Sequence, residues 1–489
     1  MLDGDVTVLN IKHTILTEVA RLAYEGKLEE GRDALPFEIS PGPKARFRCC
    51  VFREREIVKE RIRLAEGLDA RPNSKTHNIV QVIEAACDDC QISRYTVTDN
   101  CRGCLQHNCR SACKFGAITI GKGGRSYIDP SLCKECGACA RACPYNAIAD
   151  LIRPCKQSCP TGAITMDENG ICVIDEEKCV QCGRCVHACP FGAIGTKTSV
   201  VNIINDMRAG KHVYAMVAPA WEGQFGPQIT MASWKKGMKA IGYEDCYEVA
   251  LGGDLTAYYE AEEWAEAYKD GKKLTTSCCP AFVNYIKKHF PEFKDNISTT
   301  VSPMCAMSRM IKAKDPGAVV VFIGPCVAKK SEVMDSELEG NADYAITFGE
   351  IRAMMRAKGV TLEPAENTTQ EASKFGKRFG NTAGVTAAVV ESLKEQGVDP
   401  SEINVTVCNG LEECKKNLTM WKFGKWDGDF MEGMSCIGGC VGGPSSHKKE
   451  NLAKKDRDKL IQEADDRNVK EALEMEKIDL KSFSMHRHA

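Results

Sequence analysis

Cysteines that repeat one spacing are the residues of this chain best suited to chemistry. They form three groups of four within the first 200 residues; two groups read C-x2-C-x2-C-x3-C followed by proline, and the third is a slightly stretched copy. The groups are Cys133, Cys136, Cys139 and Cys143; Cys179, Cys182, Cys185 and Cys189; and Cys101, Cys104, Cys109 and Cys113. Such spacing places three thiolates around one [4Fe-4S] cube and sends the fourth to a neighbouring cube. Several cubes in one chain predict a protein that moves electrons.

The length and cysteine content of the chain favour metal binding over disulfide bonds. The chain has 489 residues, 28 of them cysteine, and a formal net charge of −2. In a long sequence whose first residues do not read as a secretion signal, a repeated cysteine spacing indicates metal ligands. We therefore expect a cytoplasmic protein of an anaerobe, without a membrane span and without the charge excess that nucleic-acid binding requires.

Two stretches between the cysteine groups, KFGAITI and PTGAITM with the residues after them, are similar to the strand–turn–strand link of a bacterial ferredoxin. They predict two consecutive ferredoxin-like domains with shared ligand sets. The expected sets are Cys101, Cys104 and Cys109 with Cys143; Cys133, Cys136 and Cys139 with Cys113; and Cys179, Cys182 and Cys185 with Cys159.

A fourth cube would complete the second of these domains. Cys155 and Cys189 lack a C-x2-C partner, and the pair Cys87 and Cys90 is unused. One cube held by these four thiolates accounts for all of them. The alternative is that Cys87 and Cys90 are ordinary buried thiols and the cube is absent. Small buried side chains are the expectation for the unassigned cysteines, namely Cys49, Cys50 and Cys172.

The composition divides the chain into four parts. We expect an N-terminal mixed and helical segment (residues 1–86), tandem ferredoxin-like domains (87–196), a mixed α/β domain (197–445) and a charged helical tail (446–489). Arginines and glutamates around a few apolar residues predict a solvated surface helix within Lys44–Gly67. The tail is interpreted as a solvated helix or a wrap-around arm.

Strand-like and helical patterns alternate after residue 200, which predicts helices packed on sheets in an α+β or α/β multidomain protein. The strand-like runs are His212–Ala218, Ala318–Ile323 and Ala342–Thr347, and the helical runs are Ala257–Lys269, Phe282–His289 and Gly349–Lys358.

Three further segments place cysteines beside glycine or proline. They are TTSCCPAF with Cys278 and Cys279, IGPCVAKKSE with Cys326, and EGMSCIGGCVGGP with Cys436 and Cys440. Their wide separation indicates a cluster between two lobes. The segments resemble the three signature motifs of the iron-only ([FeFe]) hydrogenases, and the resemblance covers roughly residues 210–445 plus the ferredoxin-like region.

The resemblance implies an H-cluster, in which a [4Fe-4S] cube is joined to a diiron subcluster with carbonyl, cyanide and azadithiolate ligands. It also implies a two-lobed catalytic domain. The implied cube ligands are Cys279, Cys326, Cys436 and Cys440, and Cys440 would bridge to the diiron subcluster.

The family's proton relay also has matching positions. The implied relay runs through Cys278, Glu260, Ser298 and Glu263. A thiol suits proton transfer when its pKa is tuned. Glu260 and Glu263 lie three residues apart on a predicted helix, so both can face one side. The alternative is that they are surface acids of a charged helix.

Other matches concern the surroundings of the cluster. Lys329 corresponds to a lysine near a cyanide ligand, where a cationic donor stabilises an anion. Met434 corresponds to a methionine beside the cluster. The cofactor pocket would also include Ala218, Pro219, Ala220 and Pro325.

The chain departs from the best-studied members at Gly324, Met304 and Ala281-Phe282, where those have Met, Gln and Gly-Trp. These departures are similar to the less-studied second group (group B-like). They leave every ligand in place and are expected to alter overpotential, oxygen tolerance or directional bias.

The resemblance implies a ferredoxin hydrogenase that reversibly reduces protons to H2. Its electrons would come from ferredoxin or flavodoxin through about four accessory [4Fe-4S] clusters, and dedicated maturation proteins would build the H-cluster. We expect a monomer or a loose oligomer. The alternatives are a hydrogen sensor, a non-catalytic iron–sulfur assembly relative, and an electron-transfer subunit of a larger complex.

Overall fold

Four helices at the start of the chain pack against the distant α/β region. The computed structural model describes residues 6–87, 90, 93–366, 371–448, 450–462, 464, 466–479 and 481–487. The helices are α1 (Val8–Glu25), α2 (Leu28–Gly31), α3 (Leu35–Ile39) and α4 (Val51–Ala65). Thr7 caps α1 by accepting a hydrogen bond from the Asn10 amide at 3.2 Å. The apolar face of α1, with Ile11 and Ile15, shares a core with Ile346 and Phe348.

The helix expected within residues 44–67 exists, but only part of its surface is solvated, including the exposed pair Glu56 and Lys59. Along α4, the apolar residues Val58 and Ile62 are buried, and so are the charged residues Glu54, Glu60 and Arg61. Glu54 accepts hydrogen bonds from Ser40 at 2.6 Å and from the Arg48 amide at 2.9 Å. The arginines and glutamates of α4 therefore bond to neighbouring backbone and side chains.

Short antiparallel strand pairs and short helices build the cysteine-rich region. The strands are β1 (Val80–Val82), β2 (Tyr95–Val97), β3 (Ile118–Ile120), β4 (Ser126–Ile128), β5 (Ile148–Asp150), β6 (Ile164–Met166), β7 (Cys172–Ile174) and β8 (Ile194–Thr196). The helices are α5 (Asn108–Ser111), α6 (Ala138–Ala142), α7 (Pro154–Ser158) and α8 (Arg184–Ala188). The predicted hairpins are confirmed, because β3 pairs with β4 and β6 with β7. Two further pairs, β2 with β5 and β1 with β8, close two successive units.

Two parallel sheets form the frame of the α/β region. The first has the order β10 (Cys246–Glu248), β9 (Val213–Val217), β12 (Val319–Gly324) and β13 (Tyr344–Thr347), and the second has the order β11 (Leu274–Thr275), β15 (Phe430–Met434) and β14 (Val405–Asn409). The three predicted strand runs coincide with β9, β12 and β13. In register, Val321 faces Ala215 and Ile323 faces Val217.

Helices cover these sheets. They are α9 (Val200–Arg208), α10 (Met231–Ile241), α11 (Val249–Lys269), α12 (Pro280–His289), α13 (Pro303–Lys314), α14 (Lys329–Glu332), α15 (Phe348–Ala357), α16 (Lys374–Arg378), α17 (Gly384–Glu395) and α18 (Leu411–Lys422). The three predicted helical runs lie in α11, α12 and α15. Short 3-10 turns occur at Glu84–Ala86, Lys122–Gly124, Pro219–Trp221, Pro291–Asn296 and Gly439–Gly442.

The first sheet is buried on both faces, which explains its uninterrupted apolar strands. Along β12, Val321 and Ile323 pack into one core with α1 and α15, whereas Val320 and Phe322 pack into a second core with α13. A mixed α/β fold is therefore present, as the sequence predicted.

The charged tail lies against the α/β region. Its helices are α19 (Glu450–Gln462) and α20 (Val469–Met475). Arg457 is 1% exposed and forms hydrogen bonds with the Lys377 carbonyl and Asn381. Met485 is also buried, and its carbonyl accepts the Val301 amide at 2.8 Å. Of the two interpretations of the tail, the wrap-around arm is the one observed. No helix within the described ranges is long and apolar enough to cross a bilayer.

Candidate active site

A buried cavity lies where strands of both sheets end. Ala218 follows β9, Cys326 follows β12 and Cys436 follows β15, while Cys278 and Cys279 lie between β11 and α12. The carboxyl ends of parallel strands are the usual place for a ligand site in α/β folds, because the loops there converge. The space between the cavity walls totals about 870 Å³.

Four thiols share this cavity, although they come from three distant segments. Cys279, Cys326, Cys436 and Cys440 all line it. Burial raises the pKa of each thiol, and the other cysteines of the set raise the pKa of Cys326 and Cys436 further. Thiols crowded in an apolar space are poor thiolates without a cation, so this donor set fits iron.

Glycines make room beside these thiols. Gly438 and Gly439 have positive φ angles of 78° and 79°, which side chains rarely adopt. A Cβ at Gly439 would lie 2.4 Å from the Gly380 carbonyl oxygen. The loop that carries Cys436 and Cys440 can therefore close around a bulky inorganic group only with glycine at this position. The residues present fit the H-cluster cube.

Lys329 brings a positive charge to the cavity wall. Its ammonium lies 2.5 Å from Glu332, 2.9 Å from the Ser302 hydroxyl and 3.4 Å from the Cys278 carbonyl. Burial opposes the charged form, but Glu332 outweighs it and the pKa of Lys329 is raised. The lysine is therefore a held cation and a hydrogen-bond donor at the predicted place.

The remaining predicted pocket residues also line the cavity. They are Ala218, Pro219, Ala220, Pro325, Met434 and Cys278. Met304, one of the positions that depart from the best-studied hydrogenases, lines it as well.

The side chains of the four predicted relay residues form a row that leads away from the cavity. Burial raises the pKa of the Cys278 thiol, and the nearby Glu260 carboxyl raises it further. Glu260 is fully buried, and neither of its carboxyl oxygens has a hydrogen-bond partner among the described residues. Burial, and then Glu263, raise the pKa of Glu260 well above its usual value. Burial therefore favours the protonated form of both groups.

Hydrogen bonds hold the outer end of this row, at Ser298 and Glu263, in place. Ser298 donates to Glu263 at 2.6 Å, and Ser298 also lies close enough to Glu260 to lower its pKa. Glu263 is half-buried and accepts the Thr299 amide at 2.8 Å and the Thr300 hydroxyl at 3.0 Å. The interpretation of Glu260 as a surface acid does not hold, because it is buried. Neither threonine was singled out from the sequence, where nothing but nearness to Ser298 marks them.

The cysteine-rich region brings its thiols together in part as predicted. Cys113, Cys133, Cys136 and Cys139 line one small cavity. In the first predicted set, Cys109 and Cys143 share a core, and Ser126 contacts Cys109 at 3.1 Å and lowers the pKa of Cys101. No described contact assigns Cys104.

The two cysteine sets of the second unit are electrostatic neighbours. Cys159 and Cys179 each raise the pKa of Cys182 and Cys185. In the fourth predicted set, Cys155 and Cys189 raise the pKa of Cys87 and Cys90.

Two features of this region were not predicted. Cys182 lines the large cavity together with Cys279, so one predicted accessory site adjoins the four-thiol cavity. Cys172, expected to be only a small buried residue, is buried, but its amide donates to the Cys87 sulfur at 3.2 Å. A hydrogen bond with Cys172 is also the largest influence on the pKa of Cys155, which falls to about 7. Position on β7 was the single sequence signal, because alternate residues of a strand face the same side.

Comparison with known families agrees with this geometry. Residues 211–444 match the C-terminal domain of the iron-only hydrogenase large subunit, residues 149–200 match the LdpA Fe-S cluster-binding domain, and residues 126–149 match the 4Fe-4S binding domain.

Among individual proteins, iron hydrogenase 1 of Clostridium pasteurianum is 26% identical over 48% of this chain and 50% of its own length. The cytosolic Fe-S cluster assembly factor NAR1 of Kluyveromyces lactis is 35% identical over 17% of this chain and 18% of its own length. The solved [FeFe]-hydrogenase HydA1 from Chlamydomonas reinhardtii, in one of its variants, shares 20% identity over 57% of this chain and 93% of its own, with a TM-score of 0.46.

The chain thus spans about half the length of the hydrogenase it matches. The four thiols of the cavity lie within residues 211–444. The cysteine repeats 133–143 and 179–189 fall in the matched iron–sulfur segments, whereas the repeat 101–113 precedes both segments. Residues 211–444 are therefore similar to the C-terminal domain of the iron-only hydrogenase large subunit, and residues 126–200 are similar to iron–sulfur cluster-binding domains.

Proposed function

We propose that this protein is an [FeFe]-hydrogenase that combines two protons and two electrons into H2, reversibly. Cys279, Cys326, Cys436 and Cys440 would hold the H-cluster, and Cys440 would be the ligand shared with its diiron subcluster. When bound, the cluster supplies the open metal site at which protons and electrons combine. The observation that carries the proposal is the row of proton-carrying side chains behind Cys278, namely Glu260, Ser298 and Glu263, which simple storage or transfer of cubes does not need.

The protein's own contribution to turnover is proton delivery and electrostatic support. Cys278 lines the cavity, so its sulfur can present a proton to the cluster and take the next proton from the Glu260 side. Ser298 links Glu260 to Glu263, which is the half-exposed group of the row. Lys329 stabilises the anionic ligands of the cluster by charge-assisted hydrogen bonding.

Electrons reach this site through the cysteine-rich region. We assign accessory cubes to Cys101, Cys104, Cys109 and Cys143; to Cys113, Cys133, Cys136 and Cys139; to Cys159, Cys179, Cys182 and Cys185; and to Cys87, Cys90, Cys155 and Cys189. Because Cys182 also lines the large cavity, the third of these cubes is the last step before the H-cluster. Ferredoxin or flavodoxin is the proposed electron donor, with the reaction in the cytoplasm of an anaerobe.

We propose that the protein belongs to the less-studied second group, and the departures in the cavity support this assignment. Met304 lines the cavity, and Gly324 ends β12, where a Cβ would lie 2.7 Å from the Phe322 ring. Both positions act on the surroundings of the cluster and leave its ligands unchanged.

A second candidate function is iron–sulfur assembly without catalysis, which the similarity to an assembly factor favours. That function requires cubes but no diiron subcluster. Proton-carrying groups behind the cavity have no task in it.

The test is infrared spectroscopy of the anaerobically matured protein, together with H2 evolution from a reduced one-electron donor. We expect carbonyl and cyanide bands with turnover. Cys440→Ala should lose the bands, whereas Cys408→Ala, at a buried thiol outside the cavity, should keep them. Absence of bands, when the same maturation system loads a known hydrogenase, would support the assembly function. Bands with negligible turnover would support a hydrogen sensor.

A further inference from the structure

Positively charged side chains from the N-terminal part of the chain contact the loop after Cys189. Arg61 is 8% exposed and donates to the Gly192 carbonyl, and Arg48 donates to the Phe191 carbonyl at 2.9 Å. Lys12, on α1, lines the same cavity as Arg61 and Cys189. The N-terminal helices thus bring cations to one predicted cube site, and the matched family segments at residues 126–200 and 211–444 do not include those helices.

Two of these cations, Lys12 and Arg61, have no ion-paired carboxylate among the residues that the structure describes. The buried Nε of Arg61 has no hydrogen-bond partner there either. Glu350, which lines the same cavity as Lys12 and Arg61, is paired with Lys330. Glu60 acts on Arg61, but it accepts the Glu84 and Ala85 amides, at 2.9 and 3.3 Å. Burial raises the pKa of Glu60 to about 7, so its negative charge is also incomplete near neutral pH.

The groups that most favour the charged forms of Lys12 and Arg61 are predicted cube ligands, Cys189 for both residues and Cys185 for Lys12. Burial and the Arg61 charge lower the pKa of Lys12 to about 8, while Cys189 and Cys185 act in the opposite direction. Burial also lowers the pKa of Arg61 to about 10, and Cys189 is the largest opposing influence. Arg153, which is buried, lowers the pKa of Cys87 and Cys90 and so adds to the positive charge near the set.

The neighbouring cube site differs in this respect. Lys288 also approaches Cys179 and donates to its carbonyl at 2.8 Å, but Lys288 is exposed. Solvent and salt screen an exposed charge far more than a buried one. Positive potential should therefore be strongest at the fourth set, Cys87, Cys90, Cys155 and Cys189.

We infer that Lys12 and Arg61 raise the reduction potential of the cube held by Cys87, Cys90, Cys155 and Cys189, so that this cube is the accessory centre that accepts an electron most readily. The inference rests on the ligand sets of the proposed function. One-electron reduction adds one negative charge to the cube, and a buried cation favours the state with more negative charge. The electron comes from the same donor that feeds the other cubes. Such a centre holds an electron beside the pathway until a second electron is needed.

The test is a potentiometric titration of the iron-loaded full chain at pH 7, followed by electron paramagnetic resonance. A Cys90→Ser variant identifies the signal of the fourth cube. In Lys12→Met we expect that signal to become about tenfold harder to reduce, which is ~59 mV for a one-electron couple. Lys12→Arg should keep the parent potential. Lys27→Met, at an exposed lysine just after α1, serves as the control for loss of a surface charge.

The outcomes separate this inference from the proposed function. An iron content too low for four accessory cubes, with no signal lost in Cys90→Ser, would overturn the fourth ligand set and the inference together. A full iron content with a fourth-cube potential that Lys12→Met leaves unchanged would overturn the inference alone. In either case the infrared bands of the H-cluster would still decide whether the protein is a hydrogenase.

Discussion

The cysteine-rich region and the α/β region offer iron two different settings. Between residues 93 and 200 the proposed ligands lie a few residues apart, among strands of three residues and helices of four or five. In the α/β region the ligands come from three distant segments, and they meet in a cavity between two parallel sheets with large apolar cores. The first region supplies little buried apolar surface without its cubes, whereas the second can form its cavity before metal arrives. Folding of the cysteine-rich region therefore depends on its cubes, whereas the α/β region can fold before its metal binds.

Removal of iron tests this contrast most strongly. In protein produced without iron, we expect the hairpin Ile118–Ile120 with Ser126–Ile128 to lose amide protection by about 10³-fold, equivalent to ~4 kcal/mol of local stability. Strands Val213–Val217 and Val319–Gly324 should keep their protection, because their cores contain no proposed ligand. Hydrogen–deuterium exchange with mass spectrometry measures both. Equal loss in both regions would contradict the contrast.

Substitution of Cys278 tests whether a side chain of the cavity wall carries protons during H2 evolution. Cys278→Ala should reduce H2 evolution by about 10²–10⁴-fold, because the proton carrier next to the cluster is lost. The carbonyl and cyanide bands should remain, since Cys278 is not a proposed ligand. Cys246→Ala, at a buried thiol of β10 outside the cavity, is the matched control and should retain turnover. Comparable losses in the two variants would mean that Cys278 matters only for packing.

Glu260 extends the same question one step further from the cluster. Glu260→Gln cannot release a proton, so we expect turnover to fall by about 10–10³-fold, with the donor's affinity unchanged. Glu262→Gln, at an exposed position of the same helix, should behave as the parent. Steady-state rates at several donor concentrations separate the rate from the apparent affinity. A rise in KM alone would assign Glu260 to donor binding.

Asp254 gives the smallest effect and concerns the packing of the α/β region. Burial raises the pKa of Asp254 to about 7 from 3.8, and its carboxyl bonds the Ser373 hydroxyl and amide. The folded state therefore keeps a proton that the unfolded chain releases, and this contribution to stability is lost as pH rises from about 4 to about 7. Asp254→Asn should remove this pH dependence, worth about 1–3 kcal/mol.

Denaturant unfolding at several pH values, followed by tryptophan fluorescence, measures this pH dependence of the free energy of unfolding. All five tryptophans lie after residue 200, so the signal reports the α/β region. An unchanged slope of stability against pH in Asp254→Asn would show that Asp254 titrates normally.

Short-range patterns carried most of what the sequence could predict. The hairpin β3–β4 and the strand β12 follow from turn residues and apolar runs, and the set Cys113, Cys133, Cys136 and Cys139 follows from spacing. What the sequence could not show depends on packing between distant segments. The burial of Arg61 on α4 and the place of Cys182 in the large cavity are examples, because neither residue has a local pattern that distinguishes it.

Helix α1 has one further consequence, for the order of events during synthesis. Its apolar face, with Ile11 and Ile15, packs against Phe348 and Ile351, which come much later along the chain. A ribosome releases α1 long before these partners exist, and contacts between such distant segments are slow to form. The emerging chain thus exposes an apolar helix while its cysteine groups are already available to iron–sulfur carriers. Loading of the cubes can precede docking of α1, which then brings Lys12 to a centre that is already filled.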